Sequence, residues 1–186
     1  MARIPYPDPA NASEEVRTLM AQLPPLNIFR MLPHAATLVR GFGQLGSAIL
    51  GRATLDPRLR ELVILRVAAR SPAAYEWQQH VPIARATGAT DEEIAALERG
   101  DRDAACFGER ERVLLRFTDE LLAGPRASDD ALAAMRARFT DREVCEAILT
   151  VGFYMMVARF LETTGVDLEA DGGAAATRVV TQLRRG

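Results

Sequence analysis

The segment "VCEAILTVGFYMMVARFLETTG" constrains this chain more than any other. Placed on a helix at 100° per residue, its apolar side chains cover almost the whole circumference. Such a helix needs protein around it, at the centre of a bundle or in a subunit interface. It opens with "TDRE", Thr140 to Glu143, a capping box, so a helix from Asp141 to about Thr164 is predicted. A second capping box, "TDEE", stands at Thr90 to Glu93. In "LDPRLRELVILRVAARS", Asp56 takes an N-cap position and Pro57 the first helical one, and the helix that follows is again apolar nearly all round. Its successor runs from about Pro72 to Thr87 and stops at Gly88. Further helices are predicted at Glu109 to Ala123 and Ser128 to Arg138. Towards the N-terminus come "NASEEVRTLMAQLP", a short piece near Asn27 to Leu32, and a stretch from Pro33 to Leu50 holding Gly41, Gly43 and Gly46. No run alternates as a strand would. The expectation is an all-α bundle: an N-terminal helical arm (1–54), a core domain (55–166), and a Gly- and Ala-rich tail (167–186) with one terminal helical stretch.

A chain of 186 residues, 48% apolar and 26% charged, suits one globular domain. With a formal charge of −2 and a pI near 5.8 it lacks the basic footprint of a nucleic-acid or anionic-membrane partner. The start "MARIPYPDPANASEE" has no apolar leader core, and no window approaches about 18 uninterrupted apolar residues. The cytoplasm is the default compartment. There is no lysine, which removes Schiff-base chemistry. Cys106 and Cys145 form no CxxC pair; both are read as free, and Cys145 as a small core residue.

Chemistry-bearing residues gather in "SPAAYEWQQH", Ser71 to His80. On a wheel, Glu76 and His80 are i,i+4 neighbours on the face that should turn inward, where a carboxylate would fix the tautomer of the imidazole. Glu61 lies among Ile64, Leu65 and Ala68 of the preceding helix and must be protonated, paired or turned to a cavity. The short link "RSPA" favours a hairpin, which makes His80 the candidate partner. Pro82 removes the helical bond to the carbonyl of Gln78, leaving a kink or a free carbonyl beside His80. Glu61, Glu76 and His80 thus form a candidate acid/base cluster, or a structural polar network. Arg159 is a candidate for a substrate carboxylate, or for neutralising Glu61 or Glu76. Tyr75, Trp77 and Tyr154 are candidate pocket residues, with core packing the alternative for Trp77. No metal or other cofactor is expected, because one His and two Glu fall short of a bundle metal site.

"LDPRLRELVILRVAARSPAAYEWQQHVPIARATGATDEEIAAL", followed by "ERVLLRFTDELLAG…FTDREVCEAILTVGFYMMVARFLETTGV", resembles the carboxymuconolactone decarboxylase family, which includes the AhpD-like alkylhydroperoxidases. The resemblance covers about Leu55 to Val166. Redox members carry Glu-x11-Cys-x2-Cys-x3-His; here that spacing reads Glu61, Ala73, Glu76, His80. The resemblance therefore implies the family fold, a homo-oligomer (dimer, trimer or hexamer) and a small-molecule substrate, while both redox cysteines are replaced. Peroxide reduction needs a low-pKa thiolate that Ala73 and Glu76 cannot supply. The decarboxylase branch implies acid/base work on a small carboxylated or lactone compound of the kind met in aromatic degradation. A non-catalytic oligomeric, ligand-binding protein is the third reading.

Overall fold

The computed structural model describes residues 1–183 and is all-helical, with no strand among those residues. Where the sequence carries a strong start signal, the helix begins there. Asp56 caps α4 (Pro57–Arg70) by accepting from the amides of Arg58 and Leu59. Thr90 opens α6 (Asp91–Glu98) and Thr140 opens α9 (Asp141–Thr164), each with both halves of a capping box. Glu109–Ala123 forms α7 and Asp129–Arg136 forms α8, two residues shorter at its C-terminal end than the pattern predicts. In the arm, Glu14–Met20 forms α1 and Asn27–Met31 forms α2. The stretch expected to be one helix from Pro33 divides into a 3-10 segment, Leu32–Leu38, with Ala35 off helical geometry, and α3 (Val39–Arg52). Pro33 stands at the start of the 3-10 segment, where its missing amide proton costs nothing.

The centre of the bundle is α4, packed against α6, α7, α9 and α5 (Ala74–Ala86). From Leu59 to Ala68 every residue of α4 is buried, charged ones included. On the side of α6 and α7 its charges are paired. Arg66 grips Asp119 with two hydrogen bonds of 2.7 and 2.9 Å and donates to the carbonyl of Gly100, while Arg102 adds a third bond to Asp119. Arg58 reaches Glu93 and Glu111.

By length and composition α9 could cross a membrane, with a mean hydropathy of 1.7, yet half of that window is buried in the protein. One stripe stays outside: Cys145, Ile148, Leu149, Gly152 and Met156 are exposed. This corrects the core placement expected for Cys145. A helix apolar all round does not announce which stripe lacks a partner.

Chain ends close the other side. Gly165 ends α9 in the left-handed region (φ 67°), and the amides of Arg3 and Ile4 bond the Thr164 carbonyl at 2.8 and 3.1 Å. The tail then forms α10 (Ala174–Leu183), packed on α5 and α3. Its approach is tight. A side chain at Gly173 (φ 91°) would put its Cβ 2.6 Å from the Gln78 carbonyl oxygen, the one that Pro82 deprives of a helical donor. The tail expected from sequence also takes in residues 184–186, which lie outside the described residues.

Candidate active site

Between α5 and α9 on one side, and α2, α3 and α10 on the other, lies a cavity of about 140 Å³. Its walls are mostly apolar, with Phe29, Phe42 and Phe153 prominent, and Ala176 and Val180 of α10 contribute on the tail side. One face of α5 supplies Glu76, Gln79 and His80, and Ser47 of α3, Tyr75 of α5 and Tyr154 of α9 are the other polar side chains of the lining. Residues i, i+3 and i+4 share a helix face, so a single helix aims all three.

His80 Nδ1 meets Glu61 Oε2 of α4 at 2.8 Å. The α4–α5 hairpin thus brings together the pair that the sequence suggested. The second oxygen of Glu61 accepts from Arg60 Nε and Nη2 at 3.1 and 2.9 Å, and Arg60 Nη1 donates to the carbonyl of Leu50 at 2.9 Å. Glu61 is wholly buried and Arg60 is 2% exposed. Burial alone would push the Glu61 carboxyl up; the opposing charges and hydrogen bonds of His80 and Arg60 outweigh it and hold the group below the usual carboxylate range. As Nδ1 donates to that carboxylate, Nε2 is the nitrogen left for chemistry. The imidazole is also held by the Tyr154 ring, edge-on with centroids 4.9 Å apart.

Glu76 behaves oppositely. The expected Glu76–His80 hydrogen bond is absent: both Glu76 oxygens are buried without a hydrogen-bond partner among the described residues. Nδ1 of the imidazole is held instead by Glu61, which Arg60 fixes in turn. Burial, with the charge of Glu162 adding to it, pushes the Glu76 carboxyl up to about 9, so it is neutral at pH 7. Gln79 Oε1 is likewise unpartnered, while its amide donates to Gln78 Oε1 at 3.2 Å.

The remaining candidates divide. Tyr154 lines the cavity, and burial followed by the charges of Glu61 and Glu76 raises its hydroxyl well above its ordinary value. Tyr75 lines it too, but its hydroxyl is occupied, donating to Glu169 at 2.6 Å and accepting from the Ile28 amide. Trp77 is half-buried against Ala68, Ala73 and Ala158 and does not line the cavity. Arg159 is exposed on another face, donating to the Met155 carbonyl at 2.7 Å, and neither enters the cavity nor pairs with Glu61 or Glu76. On the wheel it stands with Ile148 and Gly152, which are the solvent side of α9. Sequence reasoning missed Arg60 and Gln79. Arg60 carried a usable signal: a charge in a helix apolar all round needs a buried partner. Among the described residues no three His, Cys, Asp or Glu side chains are arranged to hold a metal ion, and both cysteines lie outside the cavity lining.

Residues 36–120 match the carboxymuconolactone decarboxylase family, a span that begins within the segment expected to be an arm. An uncharacterized Escherichia coli (strain K12) protein, YnjA, is 28% identical over 123 residues, a match spanning 65% of this chain and 65% of that protein. A crystal structure described as an alkylhydroperoxidase AhpD core, an uncharacterized peroxidase-related protein from Ralstonia eutropha JMP134, superposes with a TM-score of 0.79 at 19% identity, covering 95% of this chain and 96% of that one. A single-residue variant of the debrominase Bmp8, in complex with 2,3,4-tribromopyrrole, gives a TM-score of 0.67 at 17% identity over 91% and 89% of the two chains. Residues 36–120 are thus similar to the carboxymuconolactone decarboxylase family, and the described residues have the all-helical fold of the AhpD-like structures.

Proposed function

We propose that this chain carries out acid/base catalysis on a small, largely apolar carbonyl compound held in the cavity. The observation that supports this most is the placement of two carboxyl groups in opposite states around one imidazole. Glu61 is ionised and orients His80, while Glu76 is neutral and unpartnered. In its neutral form, with Nδ1–H on Glu61, His80 takes a proton at Nε2 from the carbon next to the substrate carbonyl, and Glu61 stabilises the imidazolium that forms. The Glu76 hydroxyl donates to the carbonyl oxygen as it becomes an enolate. His80 then returns the proton at the same or a neighbouring carbon. Each positioned proton-transfer group contributes on the order of 10²–10⁴ in rate.

Isomerisation and decarboxylation both pass through such an enolate. A neutral substrate has the better support, because among the described residues no arginine lines the cavity and the donors of Arg60 are spent on Glu61 and backbone carbonyls. A lactone satisfies this; a free carboxylate would enter a mostly apolar cavity with no cationic partner among its described lining residues other than a protonated His80. Thiol peroxidase chemistry lacks support, since Ala73 and Glu76 stand at the motif's cysteine positions and neither cysteine of the chain lines the cavity. The exposed stripe at Ile148, Leu149 and Met156 favours self-association through α9.

The test is solvent deuterium incorporation into small lactones, ketones and lactams, followed by NMR in D2O. The expected result is exchange at the carbon next to the carbonyl, lost in H80Q and reduced in E76L. Exchange that persists in H80Q, or its absence across the set with a folded protein, overturns the reading.

A further inference from the structure

Three buried side-chain atoms lack a hydrogen-bond partner among the described residues: Oε1 and Oε2 of Glu76 and Oε1 of Gln79. They sit three positions apart on α5, on residues that line the same cavity, and these residues are 2% and 4% exposed. Elsewhere in the bundle buried polar groups are matched, as Arg60 with Glu61 and Arg66 with Asp119 show. A buried acceptor left without a donor is costly, so this concentration points to a ligand that completes it.

The chemistry of the three atoms selects among ligands. A neutral carboxyl offers one O–H donor and one carbonyl acceptor, and the Gln79 oxygen accepts only. The complement is therefore an acceptor beside a donor. A carboxylate supplies acceptors alone and leaves the acceptor oxygens of Glu76 and Gln79 unmatched. An ester or lactone also supplies acceptors alone and leaves two oxygens unmatched. A cis amide sets C=O and N–H side by side, and these pair with a carboxyl group through two parallel hydrogen bonds. The rings of Phe29, Phe42 and Phe153 supply flat apolar walls. A volume of about 140 Å³ corresponds to roughly five waters at about 30 Å³ each, the scale of one small ring.

We propose that the cavity binds a small neutral cyclic amide, a lactam or ureide, whose adjacent C=O and N–H pair with the Glu76 carboxyl, the second N–H of a ureide also meeting Gln79 Oε1. This rests on the acid/base reading in taking Glu76 and His80 as one site, and it places the amide carbonyl where that reading needs an acceptor.

The test is titration of the full chain with δ-valerolactam, N-methyl-δ-valerolactam and δ-valerolactone, read by calorimetry and by shifts of the α5 amides. The lactam binds at least about tenfold more tightly than either analogue, since each analogue leaves buried acceptors unpaired. The preference survives in E76Q, whose amide also offers one donor and one acceptor, and disappears in E76L. Affinities within about twofold of one another, or no binding of any probe by the folded protein, overturn the proposal. Binding order is read without turnover, so the two readings fail separately. A lactam preference without deuterium exchange sinks the acid/base reading alone, while exchange on the lactone without a lactam preference sinks this one alone.

Discussion

On the side of α4 that faces α6 and α7, the buried charges are matched by part-buried partners: Arg66 by Asp119, which Arg102 also reaches, and Glu93 by Arg58, which also reaches Glu111. On the side that faces α5, pairing stops halfway. Arg60 and His80 hold Glu61, while along α5 the oxygens of Glu76, one turn before His80, and of Gln79, next to it, have nothing to hold among the described residues. Both sides belong to the same well-packed core, so loose packing does not account for the difference. It teaches that the fold tolerates unsatisfied polar atoms only where a cavity gives them something to meet. This is the arrangement expected where local stability has been given up for binding or chemistry.

The sharpest way to break this comparison is to remove a partner from the paired half. R60L leaves the Glu61 carboxylate wholly buried with His80 as its remaining partner, and should lower unfolding free energy by about 3–5 kcal/mol in urea melts. A loss well under that range would mean that Arg60 is not the main counter-charge.

The unpaired half should respond in the other direction. Folding raises the Glu76 carboxyl from about 4.3 to about 9, so over that window the native state keeps a proton that the unfolded chain releases. Stability from this group is complete below the unfolded value and is lost as pH rises towards the folded one. Between about pH 5 and 8, wild type should therefore lose about 1.4 kcal/mol per pH unit relative to E76Q. Parallel stability-versus-pH curves for the two proteins would contradict a neutral Glu76. E76L, which removes the orphaned oxygens altogether, should exceed wild-type stability at pH 8 and approach it at pH 5.

Two smaller effects sharpen the picture. Glu162 is exposed, and its charge adds to burial in raising Glu76. E162Q should move the Glu76 midpoint downward without changing the Glu61–His80 bond, as a carboxyl titration followed by NMR would show. R159A should alter stability by no more than about 0.5 kcal/mol and leave probe binding unchanged, because Arg159 is exposed, lies outside the cavity lining and donates its hydrogen bond within its own helix.

Much of this is legible in the residues alone. Capping boxes mark the starts of α6 and α9, Asp56 with Pro57 marks that of α4, and a short link makes the α4–α5 hairpin, hence the Glu61–His80 contact, readable. These signals are local. What stays hidden depends on how helices apolar all round are rotated against their neighbours. Periodicity cannot orient such a helix, so Cys145 and Arg159 read as inward when they face out. The same ambiguity hides that Arg60, rather than Arg159, neutralises Glu61, and that Glu61, rather than Glu76, holds the imidazole. The cavity itself draws walls from α2, α3 and α10, segments with weak helix signals and no sequence proximity to α5.

The central claim, two buried carboxyls in opposite states on one site, is tested most directly by ¹³C-carboxyl NMR through a pH titration, with E61Q and E76Q assigning the two resonances. The account predicts that the Glu76 signal stays in its protonated position through pH 7 and titrates near 9, while Glu61 stays ionised to below the usual carboxylate range. A Glu76 signal that titrates at the ordinary glutamate value, about 4.3, would contradict it.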